Sequence, residues 1–244
     1  TLQLVKIDGE VHRPGTYVMQ AGQTIKDVIA QAGGITERAF LYGMFLSRER
    51  IRQQEANAIT LAADKVEEDF NRHIASRATN SITQADKELD HVELEATRRL
   101  VTRLRSVPVR GRVVLNLPDP YAAHRYIDNI PIEDQDHIHI PLLTNTVSVA
   151  GSVFQQTTFN WRAGARPRDY IGMSGGLKKV ADQRRILVMR ADGSIWQDEG
   201  WRSRNRVNAG DVVFVQEDVV VQSRQKILGD WSQVLYQMGF GALA

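Results

Sequence analysis

The 244-residue chain has no cysteine, and its formal net charge is only +2. The absence of cysteine excludes an internal disulfide framework, an iron–sulfur cluster and a thiol nucleophile. Such a small net charge argues against a general nucleic-acid binder. No uncharged apolar run reaches the roughly 18 residues of a simple transmembrane helix. No targeting signal follows Thr1, so we expect that any such signal has been removed or lies outside this sequence, which we interpret as a fragment.

An internal repeat is the most informative feature that is present. Position n matches position n + 142 without a gap for more than forty residues. The matching pairs are Val5/Val147, Gly9/Gly151, Val11/Val153, Thr16/Thr158, Ala21/Ala163, Gly22/Gly164, Asp27/Asp169, Ile29/Ile171, Gly33/Gly175, Gly34/Gly176 and Arg48/Arg190. A chain of this length has room for two small cores. We therefore predict tandem domains that bind and assemble and do not catalyse a reaction.

Both copies predict the same order of local structures. An alternating strand ends at Gly9 or Gly151, and Arg13-Pro14-Gly15 is a strong turn signal before a second strand. A short helix follows and ends at a pair of glycines, as suits the left-handed geometry common after helices. A β-hairpin, one helix and further strands predict a β-grasp unit. The predicted fold class is α+β, with two such units in tandem.

The later strands show that the first copy carries extra sequence. A third strand is predicted at 44–48 and 186–190, and a closing strand at 132–140 and 207–215. The closing strands are offset by 75 and not by 142, so copy one contains an insertion of 67 residues. Apolar residues recur in the insertion every three or four positions. This spacing predicts two antiparallel helices at about 52–104.

The first copy also resembles a known family. Residues 5–17 read Val-Lys-Ile-Asp-Gly-Glu-Val-His-Arg-Pro-Gly-Thr-Tyr, and Gly22-x-Thr24, Asp27-x-Ile29 and Ala32-Gly33-Gly34 follow. This series resembles the SLBB (soluble ligand-binding β-grasp) domains of bacterial polysaccharide export proteins. The segments 136–141 and 210–215 are similar to the closing strand of the same domain. Copy two departs from the pattern at Gln156-Thr157, where the family has Pro-Gly, and the helical insertion has no counterpart in the compact family pattern.

The resemblance implies a periplasmic or outer-membrane component of capsule or exopolysaccharide secretion in a Gram-negative bacterium. Its β-grasp domains would stack into rings that form or line a conduit, without catalysis. The implied partners are the exported polysaccharide, further copies of the chain and an inner-membrane export or copolymerase protein, with no nucleic acid and no cofactor. A soluble periplasmic protein that binds a glycan or small ligand and forms no pore is the alternative.

The implied domain boundaries are 1–143 for the first SLBB domain, 144–222 for the second and 223–244 for a C-terminal amphipathic helix. In that tail, one helical face carries Trp231, Leu235, Met238 and Ala242, and we predict that it faces the outer membrane. The fourteen residues from 231 to 244 carry no charge, but they extend over only roughly 21 Å of a roughly 30 Å hydrocarbon core. A helix packed on the second domain or on a neighbouring protomer is the other interpretation.

Two groups of residues are candidates for contacts with a glycan or with neighbouring copies. The turn of copy one and its equivalent in copy two supply Gly9, Arg13, Pro14, Gly15 and Gly151. In copy two, residues 162–206 hold eleven Lys or Arg against five Asp or Glu. Arginine pairs with carboxylates and indole rings stack on sugars, so the second group is Trp161, Arg162, Trp196 and Trp201. The same basic surface also suits anionic lipid head groups, an acidic subunit or simple solvent exposure.

Two further patterns resemble sites of chemistry. Gly172-x-Ser174-x-Gly176 matches the nucleophile elbow of hydrolases, but that motif needs a strand before the serine, and here a helix precedes it. His137 and His139 share one face of a strand, near Asp134 and Asp136, yet their spacing fixes no third metal ligand. We therefore predict that Ser174 only ends a helix, and we predict no catalytic residue, metal or cofactor.

Overall fold

A computed structural model of the chain describes residues 2–78, 84–117, 119–198 and 205–218. The chain divides into two compact units, of which one is residues 49–111 and the other is the remainder. The larger unit contains two five-stranded sheets, and the smaller one is helical. The predicted α+β class is confirmed.

The strands are β1 (Leu2–Gly9), β2 (Gly15–Gln20), β3 (Phe45–Ser47), β4 (Arg112–Val113), β5 (His137–Ile140), β6 (Thr146–Gly151), β7 (Thr157–Asn160), β8 (Ala181–Met189), β9 (Ile195–Gln197) and β10 (Val212–Glu217). The helices are α1 (Ile25–Gln31), α2 (Glu49–Ala78), α3 (Gln84–Arg105), α4 (Ala123–Ile127) and α5 (Pro167–Met173), with 3₁₀ turns at Leu41–Gly43 and Pro120–Ala122.

The two sheets have the same strand order, β2-β1-β5-β3-β4 in one and β7-β6-β10-β8-β9 in the other. In each sheet the first strand pairs antiparallel with the second and parallel with the closing strand. We call β1–β5 with α1 and α4 module 1, and β6–β10 with α5 module 2. The repeat seen in the sequence therefore corresponds to two copies of one topology.

Each module has its own hydrophobic core, formed by the alternate residues that its central strands direct to one side of the sheet. In module 1 the fully buried strand residues include Val5, Ile7, Leu46, Ile138 and Ile140. In module 2 the equivalent set is Val147, Val149, Val188, Val213 and Val215. Each such side chain contributes about 1.5–3 kcal/mol when fully buried. The core of module 2 combines shorter valine side chains with the larger Tyr170, which stands at the position of Val28 in module 1.

The extra sequence of module 1 replaces a tight turn. Leu46 pairs with Val113 in the first sheet, and Val188 pairs with Trp196 at the equivalent place in the second. Leu46 and Val188 are 142 residues apart in the sequence, whereas Val113 and Trp196 are 83 apart. The difference shows that 59 of the 67 extra residues of module 1 lie between β3 and β4. In module 2 the same two strands are joined by residues 190–194 alone. The other extra residues lie between β4 and β5.

The helical unit consists of α2 and α3, which pack against each other. These helices were predicted at about 52–104, and the structure has them at 49–78 and 84–105. Ala63 and Val101 are the buried hydrophobic residues of the unit's described part. Arg105 Nη2 lies 2.9 Å from Asp64 Oδ1 and 3.3 Å from Glu67 Oε2. These side chains are about half exposed, and such surface pairs contribute little stability.

The described helices include none that is long and apolar enough to cross a membrane. The predicted amphipathic helix at 223–244, with Trp231, Leu235, Met238 and Ala242, lies outside the described residues, as does Trp201.

Candidate functional site

The turn between β1 and β2 lies against the C-terminal end of α1. The Arg13 backbone N–H donates to the Ala32 carbonyl at 2.9 Å, and its guanidinium donates to the Gln31 carbonyl at 3.2 Å. A cation is favourable at this end of a helix, where carbonyl groups lack partners. The Tyr17 hydroxyl donates to the Arg13 carbonyl at 2.6 Å. Arg13, Pro14 and Gly15 are exposed, so this predicted site is a surface turn held in one conformation.

Module 2 keeps the conformation of this turn but changes its surface. The Phe154 and Gln155 N–H groups donate to the carbonyls of Gly176 and Ser174, at 3.2 and 3.0 Å. Phe154 occupies the position of His12 and is 68% exposed. The turn of module 2 therefore presents an aromatic ring where the turn of module 1 presents polar side chains.

Gly9 and Gly151, two of the predicted site residues, have a structural role at the start of these turns. Both have positive φ values, 87° and 89°. A Cβ atom on Gly9 would lie 2.1 Å from the Ile140 carbonyl oxygen, and one on Gly151 would lie 2.1 Å from that of Val215. Only glycine fits where the first strand passes this close to the closing strand.

A buried arginine–aspartate pair links the third and closing strands of module 1. Arg48 Nε lies 3.2 Å from Asp136 Oδ1, and its Nη1 and Nη2 donate to Glu133 Oε1 at 2.7 Å and the Pro131 carbonyl at 2.5 Å. Asp136 also accepts the Glu133 N–H at 2.8 Å. Burial raises the pKa of Asp136, against the opposing effects of that hydrogen bond and of Arg48. We call this arrangement the Arg–Asp clasp.

The equivalent residues of module 2 are Arg190 and Asp211, and their hydrogen-bond partners differ from those in module 1. Asp211 accepts the N–H groups of Asn208 at 2.8 Å and of Ala191 at 3.3 Å. Burial raises its pKa to about 7, although these hydrogen bonds and the charge of Arg190 act in the opposite direction. Arg190 Nη1 donates to the hydroxyl of Tyr42, a residue of module 1, at 3.4 Å.

The clasp was not predicted as a unit, although the sequence carries a signal for it. Arg48 and Arg190 match at the offset of 142, and Asp136 and Asp211 match at the offset of 75. A charged residue that recurs at the end of a buried strand indicates a partner of opposite charge, because an unpaired charge is costly to bury. The pairing itself required the antiparallel register of the third and closing strands.

His137 and His139 both bind the carboxylate of Asp8, on the face of the module 1 sheet that is turned away from the core. His137 Nε2 lies 2.7 Å from Asp8 Oδ2, and His139 Nδ1 lies 2.5 Å from Asp8 Oδ1. Asp134 and Asp136, which are close to the histidines in the sequence, bond to Leu4 and Arg48, and the parallel register of β1 and β5 places Asp8 opposite His139. The described residues include no group of three His, Asp or Glu side chains arranged to hold a metal ion.

This cluster predicts a specific pH dependence. Burial acts to raise the pKa of Asp8, but the hydrogen bonds and charges of His139 and His137 outweigh it, and the net shift is downward. A carboxyl whose pKa is lower in the folded state contributes stability above its unfolded pKa of 3.8, and that contribution is lost as pH falls. We expect Asp8→Asn to lower the unfolding free energy at pH 5.5 and to have a smaller effect at pH 2.5, measured by urea denaturation. An effect that is equal at the two pH values would contradict this assignment.

The described tryptophans of the second predicted group pack against the core of module 2. The Trp161 indole N–H donates to the Val207 carbonyl at 2.8 Å. Trp196 is half-buried, with the guanidinium of Arg190 5.7 Å from its ring centroid. Arg162 is exposed, and its backbone N–H donates to the Tyr170 hydroxyl at 2.8 Å. A role of these residues in glycan contact stays a prediction, and much of both indole surfaces is already used in packing.

Two comparisons with known proteins agree with this geometry. Residues 4–54 and 146–198 each match the SLBB domain family. The two modules are therefore similar to SLBB domains. Two Escherichia coli proteins, each named polysialic acid transport protein KpsD, are 27% identical to it over 98% of the chain. The chain spans 39% of the length of these relatives. The predicted resemblance to the SLBB proteins of polysaccharide export is confirmed.

Within the second SLBB module, the serine of the hydrolase-like motif is part of a helix end. Ser174 is 1% exposed and follows α5, and its Oγ donates to the Tyr170 carbonyl at 3.1 Å. Its backbone N–H closes the same turn of helix. A nucleophile elbow requires a serine exposed between a strand and a helix. The structure therefore places Ser174 as the sequence analysis expected, in a helix termination.

Proposed function

We propose that this chain is part of a periplasmic or outer-membrane protein of a Gram-negative bacterium that exports a polysaccharide. The observation that carries the proposal is the similarity over 98% of the chain to two polysialic acid transport proteins. The two SLBB modules would oligomerise and form or line the conduit, with an inner-membrane export protein as a further partner. No residue of the modules is assigned a catalytic role.

The surface turn of module 1 is the place we propose for contact with a neighbouring copy or with the polysaccharide. Its backbone is held by hydrogen bonds to the end of α1 and by Tyr17, so little conformational entropy is lost when it binds. Arg13 presents the planar group that pairs best with carboxylates. The exported polymer would then include acidic sugars, as the name of the relatives indicates for theirs.

The experiment is complementation of a deletion strain with the full-length gene. Arg13→Glu reverses the charge of the turn and leaves the backbone hydrogen bonds of the turn intact. We expect surface polysaccharide to fall severalfold, and the mass of the full-length protein in mild detergent to show whether the oligomer is also lost. Lys26→Glu is the matched control, because Lys26 lies on α1 of the same module, with its side chain 68% exposed.

The outcomes separate the proposal from its alternative. A full-length protein that is strictly monomeric and dispensable for secretion would overturn the conduit. A monomer that binds a glycan directly would support the soluble periplasmic binding protein instead. If the Arg13→Glu and Lys26→Glu variants both secreted polysaccharide at the wild-type level, the turn would not be part of the contact surface.

A further inference from the structure

The turn between β8 and β9 extends into module 1. Asp192 is fully buried, and its Oδ2 accepts the Leu117 N–H of module 1 at 2.7 Å. Its Oδ1 accepts the N–H and hydroxyl of Ser194 at 2.8 and 2.7 Å, which holds the turn in shape. Ala191 packs against the core of module 1, and its carbonyl accepts a hydrogen bond from Arg112 Nη2 at 2.8 Å.

Close packing accompanies these hydrogen bonds. A Cβ atom on Gly193 would lie 2.8 Å from the Arg112 guanidinium carbon. A Cβ atom on Gly210 would lie 2.9 Å from the Phe40 ring. The two glycines of module 2 therefore contact side chains of module 1 at distances that no larger residue permits without a shift of the partner.

Tyr42 of module 1 completes the contact. It is 1% exposed, and its hydroxyl oxygen accepts hydrogen bonds from Arg190 at 3.4 Å and from Asn208 at 3.5 Å. Burial, with a further contribution from the charge of Asp211, raises the pKa of Tyr42 to about 12, so the phenol stays neutral at physiological pH. A buried phenol without its hydrogen-bond partners would cost free energy, which favours the docked arrangement.

Arg190 and its counterpart in module 1, Arg48, have different hydrogen-bond partners. In module 1, the guanidinium of Arg48 bonds to residues of its own module: Asp136, Glu133 and the Pro131 carbonyl. In module 2, the equivalent Arg190 directs Nη1 to the other module. The two copies also differ at the adjacent turn, since module 1 carries the helical unit where module 2 has residues 190–194.

We propose that Arg190 and the β8–β9 turn of module 2 form a lock with module 1, through Tyr42, Arg190 and Asp192, that fixes the two modules as one rigid body. The lock does not depend on the proposed export function. It predicts that the two modules keep one relative orientation in solution, and that any motion in the full protein occurs outside this pair.

The absence of cysteine allows a direct test by paired spin labels. Cysteines replace the exposed Lys26 of module 1 and Lys179 of module 2 in the full chain, and electron spin resonance measures the distance distribution between the labels. We expect one narrow distribution in the parent. Tyr42→Phe combined with Asp192→Asn should broaden it, and exchange of the Leu117 amide hydrogen should accelerate by about tenfold or more as its acceptor is weakened.

Tyr126→Phe is the matched control, because Tyr126 lies in α4 of module 1 and is 45% exposed. We expect it to leave the distance distribution and the Leu117 exchange rate unchanged. A broad distribution in the parent would overturn the lock even if the double variant fails to fold. A folded double variant with the parent's narrow distribution would show that these residues do not hold the modules together.

Discussion

Gly9→Ala should be among the most destabilising single substitutions in module 1. The added Cβ would lie 2.1 Å from the Ile140 carbonyl oxygen, a backbone atom that cannot rotate away. The positive φ of 87° adds about 1–2 kcal/mol of conformational strain for a residue with a side chain. We expect a loss of at least about 3 kcal/mol of unfolding free energy, measured by urea denaturation. Gly151→Ala should do the same to module 2.

Gly22→Ala is the control for this prediction. Gly22 has a similar positive φ of 92°, but a Cβ there would have nothing within 4 Å. Gly22→Ala should therefore lower the unfolding free energy only by the conformational cost of about 1–2 kcal/mol. The difference between the two variants measures the close approach of the strands. If both variants lost the same unfolding free energy, β1 and β5 could move apart without cost, and the close approach at Gly9 would not matter for stability.

Arg48→Ala should destabilise module 1 by about 3–5 kcal/mol, because it leaves the buried carboxylate of Asp136 without its cationic partner. The side chain of Asp136 is fully buried, and that of Arg48 is 13% exposed. Arg48→Lys should fall between the alanine variant and the parent, since lysine keeps the charge but cannot supply the three directed contacts. Urea denaturation of the three proteins at pH 7 is the measurement.

Lys26→Ala is the matched control for the clasp. Lys26 Nζ lies 3.9 Å from Asp128 Oδ2, and its side chain is 68% exposed. Its removal should change the unfolding free energy by less than about 0.5 kcal/mol. If Arg48→Ala lowered the unfolding free energy no more than this control, water would reach Asp136 freely and the clasp would not stabilise the module.

The sequence predicted the modules well because their elements depend on local rules. Alternating valines and isoleucines indicated the buried faces of β1 and β6, and the glycine pairs indicated the ends of α1 and α5. Gly34 N–H does bond to the Ile29 carbonyl at 2.9 Å, as expected after a helix. The side-chain clusters were harder to predict. Asp8, which binds both histidines, is far from them in the sequence, and only the parallel pairing of β1 with β5 brings them together.

The interactions between the modules also could not be predicted from the sequence. Tyr42 and Arg190 are 148 residues apart, and no periodicity relates a 3₁₀ turn of one module to a strand end of the other. Trp161 and Trp196 also illustrate it, because a tryptophan among basic residues is equally compatible with an exposed platform and with a core. The fold of module 2 turns both indoles against that core.

The sequence by itself determined that the chain contains two copies of one SLBB module, and that the first carries a long insertion. It did so because strand alternation, turn glycines and helix ends are local signals that survive in both copies. Only the tertiary structure decided that Arg190 bonds to Tyr42 and that the insertion stands in place of the β8–β9 turn. Such contacts depend on strand register and on domain packing, which bring together residues that carry no common pattern along the chain.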